Sequence, residues 1–239
     1  MTDALTGPPI TSIDELIERL VAIDAALPLT DGLSCFNRMY LLVTRAVQQR
    51  VSSGVFGDPL WMAALDVVLG NLYLAAIRAS VQQPDRTPRA WLALLERRAD
   101  TRIAPLQFAL AGLSAHINRD LPVAVVATSE QLQTTLASGA HHADYDQVNA
   151  VLATVEPAVR QSFSDGFLTA ADHVVPGLQD VVANFNMVKA RETAWANAET
   201  LWLLSRISQP AATDFLDGLD HLVGFAGRGL LLPLLITAP

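Results

Sequence analysis

The stretch from Ala104 to Val126, APLQFALAGLSAHINRDLPVAVV, is apolar along its length except at its centre, where His116, Asn118, Arg119 and Asp120 fall together. A second stretch, Leu60 to Ser80, is almost as apolar, with Asp66 and Asn71 standing out in its interior. A helix that is apolar on every side has no face to give to water, so it must lie among other helices. Two such helices in one chain require a fold that wraps them. Strand-like alternation is confined to Val123 to Val126. The expectation is an all-α fold, a single-domain orthogonal or irregular bundle of about eight or nine helices. One domain is expected over residues 1–239, with its core over roughly 12–230.

Polar surface is scarce: 51% of the residues are hydrophobic and 17% are charged. Low charge of this kind points to an enclosed apolar cavity or to a homo-oligomer. The net charge is -8, and no basic cluster extends beyond Arg97 and Arg98. That excludes a nucleic-acid surface, which needs a positive stripe to displace counterions, and disfavours an anionic membrane. The lone Cys35 cannot form an internal disulfide and reads as a small core residue of a cytoplasmic protein. MTDALTGPP shows no secretory signal, and the apolar C-terminal run GLLLPLLI is too short for a membrane span and is cut by Pro233.

Helix starts are written clearly. Ser12 with Glu15 three residues on is a capping box, Asp31-Gly32 opens a helix over Leu33 to Val51, and Asp58-Pro59 opens the apolar helix that carries Asp66. A helix to about Asp120 is expected to be interrupted or re-set at Pro122 and to continue to about Leu136. Ala137 to Asp144 reads as a loop with Asp144 as the cap of a helix over Tyr145 to Phe163, which Pro157 would bend or end. Helices over 168–182, over 186–207 and from Pro210 to Leu230 complete the chain.

Nucleotide and nucleophile signatures are missing: no glycine-rich phosphate loop, no GxSxG, no HExxH and no CxxC. No nucleotide cofactor is expected. What remains is a set of polar clusters. On a helix His116 and Asp120 lie about 40° apart round the axis and one turn apart along it, so both can reach one point. Imidazole and carboxylate together suit a divalent metal such as zinc, iron or manganese. The competing account is a satisfied polar cluster in which Asp120 pairs with His116, Arg119 or Arg38. Asp66 is the natural third ligand, because a lone carboxylate in such a helix needs compensation; Arg38 or Arg45 would supply it equally well. Tyr73 and Asn71 share that helix and, with Arg38, are placed at a substrate pocket.

The run His141-His142-Ala143-Asp144-Tyr145-Asp146 is the second rich patch. His142 is ranked ahead of His141 there, with Asp146 as a general base or further ligand, against the plainer reading of a solvated loop and a helix cap. Glu192, Trp195 and Glu199 follow one helical stripe that either lines a polar-aromatic pocket or packs through its tryptophans. His173 and His221 read as surface or boundary residues.

The segments CFNRMYLLVT, LDVVLGNLYL, APLQFALAGLSAHINRDLPVAVV, HHADYDQVN and ARETAWANAETLW resemble an uncharacterised helical family found mainly in actinobacteria. That resemblance spans about residues 12–230; it implies one domain and no activity. His116-x-x-x-Asp120-x-Pro122 is also similar to the helix-borne histidine and aspartate of the zinc-dependent phospholipase C and single-strand nuclease superfamily. No histidine follows Pro122 at the short distance of that pattern and no N-terminal tryptophan is present, so the likeness implies one or two metals.

Two readings of function follow. In the first, a metal-dependent hydrolase has its site between the Asp66 helix and the His116 to Asp120 helix. His116, Asp120 and Asp66 hold the metal, His142 or Asp146 serves as base, and Asn118 bonds a small ester-like substrate. In the second, a non-catalytic helical module encloses an apolar ligand or dimerises through apolar helices, and the polar residues form a buried network.

Overall fold

In the computed structural model residues 2–136, 139–163 and 186–233 are described. Their regular structure is helical, with no strand among them. The helices are α1 (Thr2–Thr6), α2 (Ile13–Ala26), α3 (Gly32–Ser52), α4 (Pro59–Gln82), α5 (Arg89–Leu95), α6 (Pro105–Ala115), α7 (Leu121–Gln131), α8 (Gly139–Phe163), α9 (Met187–Ile207) and α10 (Gln209–Leu230). The expected helix over 168–182 and His173 lie outside the described residues.

The starts follow the cap chemistry. Ser12 Oγ accepts from the Glu15 amide at 3.1 Å, and the Glu15 carboxylate accepts from the Thr11 amide at 2.6 Å, one residue earlier than a standard capping box. Asp31 caps α3 through the Leu33 amide and also receives two bonds from Arg98, at 2.9 and 2.7 Å, which tie that helix start to the segment after α5. Asp58 caps α4 at the Trp61 amide, with Pro59 at the first position.

Between α6 and α7 the chain does not break. His116–Asp120 forms one π-helical turn, in which the Leu121 amide bonds the His116 carbonyl, and Pro122 sits in the first turn of α7. Pro122 has no N–H to give and its ring would press on the carbonyl four residues back, so the wider turn keeps the helix running through a position that a regular α-helix could not hold. Val123 to Val126 is helical with the rest. α7 ends at Gln131, five residues short of the expected Leu136. Gln133 takes a left-handed conformation, φ 55°, and the Thr134 amide returns to the Ser129 carbonyl at 2.8 Å. This is a glycine-type helix stop without glycine, which the sequence does not announce.

A second correction concerns the histidine patch. Gly139 to Asp144 is the first part of α8, not a loop, and the helix runs past Pro157 to Phe163. Asp144 serves a different helix: its two oxygens accept from the Gly57 and Asp58 amides at 2.8 and 2.6 Å, which holds the segment leading into α4 and its cap Asp58.

The core forms where α3 packs on α2, α6 and α8, α4 on α7, and α9 and α10 close the other side against α7, α5 and α6. Gly112 on α6 makes the α3 contact possible: a Cβ there would lie 2.5 Å from the Phe36 ring. α4 is the one described helix long and apolar enough to cross a bilayer, and half of its most apolar window is buried in the fold, as expected of a central helix.

Candidate functional site

A cavity of about 140 Å³ lies at the junction of α3, α4, the π turn, α8 and α9. α3 contributes Phe36, Met39, Tyr40 and Val43, α4 contributes Met62, Leu65, Asp66 and Leu69, and Leu113, Ile117 and Leu121 close one side. Val148 and Leu152 of α8 form a wall, and Met187, Arg191 and His116 complete the lining. A dry engineered cavity of roughly 150 Å³ holds benzene, which sets the size of molecule that fits.

Three polar groups in this apolar lining are unsatisfied. Asp66 is 9% exposed and receives no hydrogen bond or ion pair among the described residues; burial alone pushes its carboxyl up to about 7. His116 is 6% exposed, its Nδ1 has no partner, and burial followed by the charge of Arg191 lowers its pKa to about 3, so it is neutral. Its ring lies 4.4 Å from the Tyr40 ring and 5.5 Å from that of Phe36, centroid to centroid. The Tyr40 hydroxyl is buried without a partner, and its pKa is raised by burial and then by the neighbouring Asp66 carboxyl. Unpaired buried polar atoms cost about 1–3 kcal/mol each, and here three converge on one space.

Arg191 is the residue that sequence reasoning passed over. Its guanidinium bonds Asn149 Oδ1 at 2.9 Å and the Tyr145 carbonyl at 2.6 Å and lies over the Tyr145 ring, while the Tyr145 hydroxyl donates back to the Arg191 carbonyl at 2.7 Å. This exchange clasps α8 to α9. The helical spacing of Arg191 with Ala194, Trp195, Ala198 and Leu201 was the available signal, since it puts the arginine on the buried face.

The proposed metal ligands do not gather. No group of three His, Cys, Asp or Glu side chains suited to a metal occurs among the described residues. Asp120 is fully buried, but its oxygens are taken by Trp91 Nε1 and by Arg119, both at 2.7 Å. Arg119 Nε in turn lies 3.5 Å from Asp220, which caps α5 through the Arg89 and Ala90 amides. This is the polar-cluster account with Arg119 as partner. Burial still holds the Asp120 carboxyl above the usual carboxylate range against the pull of Arg119.

The arginine proposed for Asp66 is elsewhere: Arg38 pairs with Asp24 at 2.8 Å, and Arg45 is exposed. Asn71 exchanges two bonds with the Ile10 backbone and pins the N-terminal segment. Tyr73 is buried behind Phe36, donating to Asn37 at 3.2 Å. Asn118 bonds Ser114. None of these five proposed residues lines the cavity.

In the histidine patch the order is reversed. His141 is the buried one, bonded to Asp58 at 3.0 Å and stacked on Trp61, whereas His142 is exposed, stacked on Trp195 and 3.8 Å from the exposed Asp146. Trp195 packs inward and bonds Glu199, and Glu192 and Glu199 are exposed, which is the packing alternative for that stripe. His221 is exposed and Cys35 is buried, its thiol pushed up to about 11 by burial.

The model of a family of unknown function, DUF5995, matches residues 13–233. No curated protein and no solved structure matches the chain.

Proposed function

The chain belongs to the DUF5995 family, a family of unknown function, and we propose that it is a helical binding protein whose central cavity holds a small apolar molecule. The observation that carries this reading is the apolar space of about 140 Å³ with Asp66, His116 and Tyr40 on its wall, each with a buried polar atom that has no partner among the described residues. Apolar lining with a few convergent polar groups is the usual make-up of a small-molecule site. Toluene at saturation is expected to raise the melting temperature of the wild type, because a ligand that binds only the folded state stabilises it by mass action. Val148→Phe, which fills the space from α8, is expected to fold and to lose that response. A response retained in the filled variant would put the binding elsewhere.

Metal-dependent hydrolysis has a narrower support: His116 and Asp66 line the same cavity and neither is held by another side chain, so two ligands are at hand. A third would have to come from water, substrate or movement of Asp120. Stoichiometric zinc, iron or manganese in the purified protein, lost in His116→Ala, would favour this reading over the first. A cytoplasmic setting accords with the lone, buried Cys35 and self-association with the low charge, and size measurement in solution tests the latter.

A further inference from the structure

Two charge-bearing side chains line the cavity, and they do not meet. Arg191 is provided for: an amide oxygen, a backbone carbonyl and an aromatic face hold its guanidinium. Its charge acts on His116, whereas burial alone acts on Asp66. Asp66 has nothing. Neither Arg38 nor Arg45 approaches it, and the groups around it are the Tyr40 hydroxyl, the apolar side chains of α4 and α8, and the neutral imidazole across the space.

We propose that the cavity selects a small apolar amine, its ammonium group set against Asp66 and its hydrocarbon body among Phe36, Met39, Leu69 and Val148. The inference rests on the cavity being a binding site, as argued above, and adds the charge of what it takes. An ammonium has three donors, and the unpartnered atoms on offer, a carboxylate oxygen, a phenol oxygen and an imidazole nitrogen, all accept. The Tyr40 and Phe36 rings add faces that attract a cation. An alcohol satisfies hydrogen bonds but leaves the carboxylate charge uncompensated, and an anion would be driven into the field of Asp66. The cavity size limits the body to about one benzene ring.

Benzylamine, benzyl alcohol, benzoate and toluene share that body and differ in the head. Calorimetric titration of the full-length protein near pH 8 is expected to show benzylamine bound about tenfold more tightly than benzyl alcohol, with benzoate weakest. Asp66→Asn, which keeps the shape and removes the charge, is expected to bring amine and alcohol within about twofold. Should that variant fail to fold, the wild type supplies a second measure: its amine preference shrinks near pH 6, where Asp66 takes up a proton, while toluene affinity holds constant. Benzyl alcohol or benzoate binding as tightly as benzylamine, or an amine preference that survives Asp66→Asn, overturns the inference and leaves the apolar site standing. Failure of all four to bind, with toluene included, overturns the binding reading itself.

Discussion

Burial favours the uncharged forms of Asp66 and His116, the acid below about pH 7 and the neutral imidazole above about pH 3, and their effects on stability have opposite signs. Between its ordinary value of 3.8 and about 7, Asp66 binds a proton in the folded chain but not in the unfolded one, so its contribution falls as pH rises. Between about 3 and 6.5, His116 is protonated only in the unfolded chain, so its contribution rises with pH. Each slope is about 1.4 kcal/mol per pH unit, and over about pH 4 to 6.5 the two cancel. Asp66→Asn therefore gains on the wild type steadily from about pH 4 to about 7 and then by a constant amount. Urea titrations of both proteins at several pH values check this, and a difference independent of pH would refute it. The residue types were visible in the sequence. Their solitude was not, because Arg38 found Asp24 and Arg45 faces solvent.

Helix ends explain more of this fold than helix interiors. Asp144 belongs to α8 but satisfies the amides that lead into α4, and beside it His141 bonds Asp58, the cap of the same helix. Two elements far apart in the chain are thereby fixed at one corner, and the α8 wall of the cavity is fixed with them. Asp144→Ala is expected to cost about 1.5–3 kcal/mol, the range for hydrogen bonds to a charged group, and to weaken toluene binding; Asp144→Ser should recover part of both. Equal stability of Asp144→Ala and wild type in guanidinium unfolding would show that these bonds carry no weight. The residue was legible, and the helix it serves was not: an aspartate before a helical pattern looks the same whether it caps its own helix or serves another. Pro122 was likewise legible as a disturbance, while its resolution as a π turn depended on neighbours that keep α6 and α7 in line.

Across the whole molecule, the chain Trp91, Asp120, Arg119 and Asp220 links α5, the π turn and α10 through polar contacts, and none of the four lines the cavity. Removing the buried carboxylate leaves the Arg119 charge and the indole N–H without their partner, a loss of about 3–5 kcal/mol, which is a large share of the 5–15 kcal/mol typical of a domain. Asp120→Ala is accordingly expected to unfold at much lower denaturant, while Asp120→Asn retains the indole bond and falls between; a wild-type midpoint for Asp120→Ala would remove the network from any account of stability. The apolar stretches and the caps were enough, by themselves, to determine an all-α fold, the position of most helix starts, and the polar interruption of two apolar helices at Asp66 and HINRD. Periodicity and capping are local physics, read within a few residues. Tertiary structure alone decided that Asp120 is spent on Trp91 and Arg119, that His116 and Asp66 share a cavity with Arg191, and that His141 rather than His142 is buried. Those outcomes depend on which helices meet, and a buried charge takes the partner that packing brings within about 3 Å of it.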